Sequence, residues 1–561
     1  MGVYGLETFL ERNRPNAYCY DVNIKELADK FRSETGKVPE VLIDGSNCLR
    51  KLYDGSDDHW ILGGQLKEFV ETTKKLVTAF KNAGVRPHFC FVNAMPKGRL
   101  ETWIERRNSN IKKVVEIFTM IQQSTDYSRE YMLPPIVGAV GHLVPRLECN
   151  CDVTVVNEEN HTEYIAKYAR EHQSFAILSQ DSAFVLMNGA KYYLSLKYLN
   201  LDTLTTITYS KEGLMEFLGL NHRELVHLAP LLSNKLFPLN KVNNFLENLG
   251  PRKNFEYLDI FEILPCVVKY IKERNIPNER DYQYLEKISL DICGTNEMAN
   301  DLETCIRIFM LDSKKSPNEA PHNSMESDAN WMKILQRANE RNENCEITEY
   351  LNSLMLGDDY RLSVALENYS DVNLVPTARL YLPLRQRIYG VLFFEKPTVS
   401  YVKEWCIEGM ECPTKSSEVE IKQIKGIETL HPGLLKLWSD NFPDDKRWQL
   451  FVEILTDKLK LDATKLKNLG FPFAVPVAVL FYVVKENGKL LSETEIDVIL
   501  IQAAALQFYS ADYIKAMRSQ LRSSPVLTKR AVEISTIFTR GVAIVLLLLS
   551  ACGFPLNKVS N

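Results

Sequence analysis

The sequence lacks most of the features that mark specialised protein classes. Its 12 cysteines in 561 residues include no C-x-x-C pair, and the closest two are Cys149 and Cys151. Zinc fingers and ribbons need paired ligands at short spacing, so we expect reduced thiols in an intracellular protein. The 67 basic and 72 acidic residues give a formal net charge of −5, which excludes a globally basic nucleic-acid-binding protein.

Long apolar runs and catalytic motifs are also scarce. The most apolar stretch, residues 541–554, is 14 residues long. Because a spanning helix needs about 20 apolar residues, this stretch predicts a buried core helix and no membrane insertion. The N-terminal residues carry Glu7 and Glu11 where a secretory signal would be apolar. The sequence contains no P-loop, G-x-S-x-G or H-E-x-x-H motif, and we predict no cofactor.

Strand-like and helix-like segments alternate through the first 240 residues. Short apolar runs predict strands there, and a helical apolar repeat over residues 64–83 predicts a helix. The alternation indicates an α/β fold with a mostly parallel sheet and helices on both faces. In such sheets ligands gather at the carboxyl ends of strands, where Asp44 and Asp181 lie. The predicted strands are residues 38–47, 86–94, 175–181, 191–199 and 205–210.

The rest of the chain has a different pattern. Helical periodicity begins near residue 211, and residues 312–330 contain no Ile, Leu, Val, Phe, Tyr or Trp. Such a composition predicts a flexible linker. The second half is predicted to be mostly helical, with one short strand at residues 387–395. We therefore predict an α/β domain over 1–240, a helical extension over 241–311, the linker over 312–330 and a mostly helical domain over 331–561.

Several sequence blocks carry a family resemblance. MGVYGLETFL, VLIDGSN (41–47), FVNAMPKGRLETWIERR (91–107), SQDSAFVLMNG (179–189) and LLSNKLFP (231–238) follow one another in the first 240 residues. Together they resemble the XPG/flap-endonuclease superfamily of PIN-like nucleases. Three further blocks resemble a branch of it, the constitutive coactivator of PPAR-gamma-like family. These are GGQLKEFVETTKKLVTAFKNAGVRPHF (63–89), PLRQRIYGVLF (383–393) and FTRGVAIVLLLLSACGFPL (538–556). The resemblance implies a PIN-like/XPG-type domain over residues 1–240.

The resemblance also implies a set of metal-site positions, most of which carry no acid in this sequence. Flap-type nucleases hold two divalent cations with a ring of carboxylates, since Mg²⁺ prefers oxygen ligands. A slip of two residues in the alignment would recruit Glu158 or Glu159. We predict a degenerate site without metal or enzymatic activity, in which Lys235 fills the vacated space and pairs with Asp44 or Asp181. The positions are Asp44, Val92, Asn160, Thr162, Asp181, Ala183 and Lys235.

Asp44 and Asp181, the two acids that remain, admit three interpretations. In the first, they accept backbone N–H bonds and hold the local fold, as capping residues do. In the second, they keep a single weakly bound metal ion. In the third, they still take part in catalysis.

A basic segment offers a candidate nucleic-acid surface. In the active relatives this region lines the channel for the phosphate backbone, and arginine and lysine suit phosphate oxygens. The alternative is a solvated helix face, with Glu101 and Glu105 paired to nearby arginines. The candidate residues are Lys97, Arg99, Arg106, Arg107, Lys112 and Lys113.

We predict from these patterns a non-catalytic scaffold or coregulator that binds single-stranded RNA and proteins in gene regulation. It would reside in the cytoplasm, the nucleus or both. One alternative is a protein-interaction scaffold without affinity for nucleic acid. The other is an active, metal-dependent, structure-specific nuclease that uses Asp44, Asp181 and a slipped Glu158 or Glu159.

Overall fold

A seven-stranded sheet organises the N-terminal part of the chain. The computed structural model describes residues 2–12, 16–53, 58–92, 100–127, 130–156, 160–234, 236–249, 259–274, 276–277, 281–312, 329–424, 426–457, 461–521 and 527–559. Within them the strands of this sheet are β1 (Cys19–Asn23), β2 (Glu40–Asp44), β3 (Arg86–Val92), β4 (Asp152–Val156), β5 (Ala176–Ser179), β6 (Tyr192–Ser195) and β7 (Thr205–Tyr209).

The sheet is mostly parallel, as the sequence predicts. Its strand order is β1-β7-β6-β5-β2-β3-β4. Strands β2, β3, β4, β5 and β6 form parallel pairs, and β7 runs antiparallel to both β6 and β1. The predicted α/β fold class is therefore confirmed. Five of these strands were predicted from the sequence, whereas β1 and β4 were not.

Burial on both faces explains the composition of the central strands. All five residues of β2 and all four of β5 are buried. A strand covered by helices on both faces needs a continuous apolar run rather than alternation. The run therefore ends where the strand leaves the layer, at Asp44 in β2 and just before Asp181 after β5.

Helices make up most of the remaining described chain. Side-chain caps set several of their starts: the Asn23 side-chain oxygen accepts from the Lys25 backbone N–H at 2.9 Å, and Ser210 Oγ accepts from the Gly213 N–H at 3.0 Å. In chain order the helices are α1 (Leu6–Glu11), α2 (Ile24–Thr35), α3 (Gly45–Leu52), α4 (Leu66–Asn82), α5 (Leu100–Gln123), α6 (Pro135–Val140), α7 (Leu143–Leu147), α8 (His161–His172), α9 (Ala183–Leu186), α10 (Lys211–Leu218), α11 (His222–Val226), α12 (Leu228–Leu232), α13 (Leu239–Leu249), α14 (Ile260–Glu273), α15 (Tyr282–Cys293), α16 (Ala299–Met310), α17 (Ala329–Glu343), α18 (Glu349–Met355), α19 (Thr377–Leu380), α20 (Leu382–Leu392), α21 (Leu434–Leu437), α22 (Asp444–Thr456), α23 (Ala463–Asn468), α24 (Phe471–Glu486), α25 (Glu493–Phe508), α26 (Ala511–Leu521), α27 (Lys529–Ala551) and α28 (Leu556–Val559).

The chain divides into two compact units that are not continuous in sequence. Unit 1 comprises residues 1–52, 73–94 and 149–320, and unit 2 comprises residues 53–72, 95–148 and 321–561. This partition differs from the four consecutive segments of the sequence analysis, because 53–72 and 95–148 pack with the C-terminal half. The segment boundaries stay a prediction. Residues 313–328 of the predicted linker lie outside the described residues.

Unit 2 is mainly helical and carries a small sheet. Its strands are β8 (Tyr360–Arg361), β9 (Tyr401–Trp405) and β10 (Ser417–Glu420), in the order β10-β9-β8. The strand predicted at residues 387–395 is wrong, because residues up to Leu392 belong to helix α20. This helix is buried on nearly all sides, so it has no polar face to reveal helical periodicity.

A fully buried ion pair joins α20 to β9 inside unit 2. The Arg385 guanidinium donates to both oxygens of Glu404, at 2.9 and 2.7 Å. Tyr389 Oη, one turn further along α20, donates to the same carboxylate at 2.5 Å. The hydrogen bonds from Arg385 outweigh the effect of burial and keep the pKa of Glu404 below its usual range.

The most apolar segment of the chain forms a core helix of unit 2. Helix α27 has 23 residues, so the length argument based on residues 541–554 is wrong: by length and composition this one helix could cross a membrane. In the structure it packs against α20 and α24, and over half of its most apolar window is buried. Its Arg540 guanidinium donates to the Ser363 carbonyl at 2.7 Å. Buried helices of water-soluble cores have the same composition.

Candidate functional site

The two remaining acids lie on neighbouring strands at the carboxyl edge of the large sheet. Asp44 ends β2, and Asp181 follows β5 by two residues. Strands β2 and β5 are paired in parallel, with Ile43 opposite Leu178. Val92 ends β3 on the other side of β2. The topology therefore brings together three of the predicted site positions.

Protein donors surround the Asp44 carboxylate. Its Oδ2 accepts from the Asn47 side-chain amide at 2.6 Å and from Ser179 Oγ at 2.8 Å. Its Oδ1 accepts from the Asn47 backbone N–H at 3.3 Å. The side chain is completely buried, so these bonds replace the hydrogen bonds to water that the carboxylate loses on burial. This arrangement matches the first of the three interpretations, in which the acid holds the local fold.

Asp181 has a similar set of donors. Its Oδ1 accepts from the backbone N–H of Ala183, the first residue of α9, at 3.1 Å. Its Oδ2 accepts from Thr162 Oγ1 at 3.2 Å. The Asp181 side chain is buried as well. Thr162, which the resemblance aligns with a metal-binding acid, is thus a hydrogen-bond donor to a neighbouring acid.

Ser179 connects the two acids, although the sequence analysis did not single it out. Its hydroxyl donates to Asp44 and accepts from the Asp181 backbone N–H at 3.1 Å. The Asn47 amide also approaches it at 3.5 Å. Both Asn47 and Ser179 stand in the blocks that carry the family resemblance, D-G-S-N and S-Q-D. Their position beside the acids was the available signal.

The remaining predicted or alternative site residues differ in where they stand. Ala183 is buried at the start of α9, and Asn160 is half-buried just before α8. Lys235, Glu158 and Glu159 lie outside the described residues, so the predicted pairing of Lys235 stays a prediction. Within the part of the chain that the structure describes, no group of three or more His, Cys, Asp and Glu side chains could hold a metal ion.

The N-terminal residues pack directly beside this edge of the sheet. The Val3 backbone N–H donates to Ser182 Oγ at 3.0 Å. A Cβ added at Gly2 would lie 2.0 Å from the same oxygen, so only glycine fits there. The Gln180 amide donates to Glu7 of α1. Burial, together with repulsion from nearby Glu11, raises the pKa of Glu7 to about 7.

The candidate residues of the basic segment in unit 2 differ in how far they are buried. Arg107 donates to the Leu362 carbonyl at 2.6 Å and lies 3.9 Å from the Trp103 ring, and burial lowers its pKa to about 10. Lys113 approaches the carboxylate of Glu130 at 3.3 Å.

The other four candidate residues are either exposed or outside the described part of the chain. Arg106 and Lys112 are exposed on α5. Lys97 and Arg99 lie outside the described residues. Of the four described candidates, Arg106 and Lys112 are therefore the more exposed, and Arg107 and Lys113 are half-buried.

Sequence comparison finds relatives along the chain, while no protein-family model matches it. The constitutive coactivator of peroxisome proliferator-activated receptor gamma from Bos taurus is 23% identical over 99% of this chain and 88% of its own length. The protein of the same name from Mus musculus is 23% identical over 99% of this chain and 85% of its own. The constitutive coactivator of PPAR-gamma-like protein 1 from Mus musculus is 26% identical over 57% of this chain and 31% of its own.

Structure comparison finds nuclease neighbours for part of the chain. The catalytic core of Rad2 in complex with DNA substrate aligns with 55% of this chain and 85% of its own, at 12% identity and a TM-score of 0.32. Human GEN1 in complex with Holliday junction DNA aligns with 69% and 80%, at 14% identity and a TM-score of 0.32. The sequence comparison confirms the resemblance drawn from the sequence blocks: along nearly its whole length this chain is similar to the constitutive coactivators of PPAR-gamma.

Proposed function

We propose that this protein is a non-catalytic scaffold with a nuclease-like fold that acts in gene regulation. The observation that carries the proposal is the environment of Asp44 and Asp181. Both carboxylates are buried, and protein groups already donate hydrogen bonds to both oxygens of each. The relatives' names as coactivators agree with a regulatory role.

The chemistry of the site opposes metal binding. A divalent cation at Asp44 would have to displace the Asn47 amide and the Ser179 hydroxyl, both of which present hydrogens to the carboxylate. The neighbouring positions Val92 and Ala183 offer no side-chain oxygen to complete an octahedral shell. Two cations close together also repel each other unless several carboxylates neutralise them. The two-metal clamp of phosphodiester cleavage is therefore not expected here.

RNA binding is the finer part of the proposal. Arg106 and Lys112 are exposed on α5, but Glu101 and Glu105 are exposed on the same helix and offset part of their positive charge. Arg107 and Lys113 are half-buried, beside the Leu362 carbonyl and the Glu130 carboxylate respectively. We therefore expect weak, salt-dependent binding of single-stranded RNA through few phosphate contacts. Proteins would be the principal partners, in the nucleus or the cytoplasm.

One titration tests the whole proposal. The purified chain is titrated against fluorescent single-stranded RNA and branched DNA over a series of salt concentrations. Mg²⁺ or Mn²⁺ is then added and the products are separated on a gel. We expect binding that weakens with salt and substrates that stay intact. Cleavage that Asp181→Ala abolishes would refute the non-catalytic assignment.

A pair of double variants tests the RNA surface. Arg106→Glu with Lys112→Glu should reduce the salt dependence of RNA binding by about 0.7 in log–log slope for each phosphate that the protein no longer neutralises. Lys333→Glu with Lys403→Glu makes the same change in net charge at exposed positions elsewhere in unit 2 and is the matched control. Equal reductions in both would show that total charge, and not the α5 surface, attracts RNA. Absence of RNA binding in the unmodified chain would leave a protein-interaction scaffold.

A further inference from the structure

Helix α25 is mainly apolar and yet mostly exposed. Its 16 residues are all described, and Ile499 is the one that is buried. Ile501 keeps 66% of its surface exposed and Phe508 keeps 77%. Surface helices of globular proteins normally bury an apolar stripe and show a polar face to water. Helix α25 therefore has an apolar surface that the described part of unit 2 leaves uncovered.

The helix is firmly anchored, so this surface is preformed. Ser492 caps its N-terminus, with its Oγ accepting from the Glu495 backbone N–H at 3.3 Å. The Glu495 carboxylate accepts two hydrogen bonds from Arg530 of α27, at 2.8 and 2.9 Å. At the other end the Lys67 ammonium donates to the Leu506 carbonyl at 2.6 Å. A rigid surface loses little conformational entropy when a partner covers it.

The exposed apolar surface extends from α25 onto its neighbours and is large. The Tyr509 and Tyr513 rings stack with centroids 4.7 Å apart. The three aromatic members alone, at roughly 150–250 Å² each and 43 to 77% exposed, leave on the order of 300 Å² of apolar surface uncovered. The largest patch on a typical monomer is about 300–600 Å², and a standard interface buries about 800 Å² per partner. Its members are Val484, Val498, Leu500, Ile501, Leu506, Phe508, Tyr509, Tyr513 and Met517, which are 36 to 77% exposed.

A groove and a ridge lie side by side on this surface. The groove, of about 460 Å³, runs between α24 and α25 and is lined almost entirely by apolar side chains. The ridge is the exposed row of Ile501 and Phe508 on α25. A surface that carries both a groove and a ridge of the same chemistry can be complementary to itself. The groove is lined by Val477, Leu480, Phe481, Val484, Lys485, Ile496 and Leu500.

The charged residues around the patch favour one relative orientation of two copies of this surface. Glu493 and Asp497 are exposed at the N-terminal end of α25. Lys515 is exposed on α26, which follows the C-terminal end of α25, and Asp512 is exposed in the first turn of the same helix. If two such surfaces meet with antiparallel α25 helices, the acids of one lie against the lysine of the other. A parallel arrangement would place like charges together.

We propose that two copies of this chain associate through α25 and α26, with their α25 helices antiparallel across a two-fold axis. The ridge of each copy then fills the groove of the other, as an isologous interface requires. A lipid surface is a poorer match, because helices that lie in the membrane interface carry Lys and Arg on their polar face, whereas the exposed charges of α25 are the acids Glu493 and Asp497. The dimer rests on α25, α26 and their surroundings in unit 2, independently of the site at the sheet edge.

Sedimentation velocity over a concentration series tests the dimer. We expect the full chain to sediment with twice the mass of one chain, and Ile501→Asp to raise the dimer Kd at least about tenfold. Phe508→Asp should have a similar effect. Val372→Asp, which places the same charge on an isolated residue that is 94% exposed, is the control and should leave the Kd unchanged. All three positions are exposed, so folding should survive, and circular dichroism checks this.

Charge reversal tests the antiparallel orientation. Asp497→Lys and Lys515→Glu should each weaken the dimer, and the two together should restore it toward the unmodified Kd. A full chain that stays monomeric at every concentration would overturn the proposal. So would a monomer that floats with phosphatidylcholine vesicles in an α25-dependent way, because the bilayer would then be what covers the surface. A dimer that Ile501→Asp and Phe508→Asp leave intact would place the interface elsewhere and refute it as well.

Discussion

Replacing Asp44 by asparagine distinguishes between two roles of this residue: an acid that holds the local fold and an acid that binds a metal ion. The substitution keeps the shape of the side chain and removes its charge. Acids that surround a metal repel one another when the metal is absent, so neutralising one of them stabilises the metal-free protein. An acid that accepts hydrogen bonds in a buried site does the opposite, because its donors lose their partner.

The magnitude follows from the hydrogen bonds of Asp44. Its Oδ2 accepts from Asn47 and Ser179, and its Oδ1 accepts from the Asn47 backbone N–H. An asparagine amide has one oxygen and one NH₂, so in either orientation its NH₂ faces at least one of these donors. Each hydrogen bond to a charged group contributes about 1.5–3 kcal/mol. We expect a loss of roughly 3 kcal/mol in the free energy of unfolding.

Urea unfolding in EDTA, followed by circular dichroism, measures the effect. Asp202→Asn is the control: Asp202 is 77% exposed in its pair with Lys75, and its loss should cost less than about 1 kcal/mol. Mg²⁺ should leave the unfolding midpoint of the unmodified chain unchanged. If Asp44→Asn is more stable than the unmodified chain in EDTA, or if Mg²⁺ raises the midpoint, then Asp44 belongs to a metal site and the reasoning is wrong.

Three further substitutions test the packing and electrostatics of the two units. Gly390→Ala in α20 should destabilise unit 2 by about 1–3 kcal/mol in thermal unfolding, because the new Cβ would lie 2.2 Å from the Lys422 carbonyl oxygen; the helix-propensity gain of alanine is expected if that contact relaxes. Burial raises the pKa of Glu349 to about 7, so its contribution is favourable below about pH 4.5 and is lost as the pH rises through 7; Glu349→Gln should raise the unfolding midpoint at pH 8 and hardly change it at pH 4.5. Burial opposes the charge of Glu40, but the hydrogen-bond donors around it lower its pKa to about 2, so Glu40→Gln should cost about 2–3 kcal/mol at pH 7 and progressively less as the pH falls from 4.5 toward 2. A change in stability that does not depend on pH would contradict the predictions for Glu349→Gln and Glu40→Gln.

The sheet could be predicted from the sequence because burial on both faces leaves a simple pattern. The apolar runs before Asp44 and Asp181 end where the strands do. Strands β1 and β4 were missed because each has only one fully buried residue and neither carries a continuous apolar run. The same rule failed for residues 387–395, where an apolar run belongs to a buried helix. Periodicity cannot separate a fully buried strand from a fully buried helix.

The sequence indicated which residues lie together at the edge of the sheet, and their role as a degenerate site stays a prediction. The resemblance located Asp44, Asp181 and Thr162, which the structure brings together. It did not indicate that Ser179 and Asn47 would donate to Asp44, because a hydrogen bond between strands depends on their register. The exposed surface of α25 was not predicted either. Its apolar composition resembles that of a core helix, and only the fold shows that the described part of unit 2 leaves it uncovered.

The ion pair between Arg385 and Glu404 restricts which substitutions this chain and its relatives can tolerate. Loss of either partner leaves a buried charge and costs about 3–5 kcal/mol, whereas a well-packed apolar pair in its place can be neutral or better. A chain with both charges and a chain with neither are therefore separated by a single substitution that removes a large share of the roughly 5–15 kcal/mol that stabilises a typical protein. Homologues should therefore carry both charges or neither, and the Tyr389 hydroxyl, which shares the carboxylate, should change with them. We therefore expect the positions of Arg385 and Glu404, where α20 meets β9, to change only together.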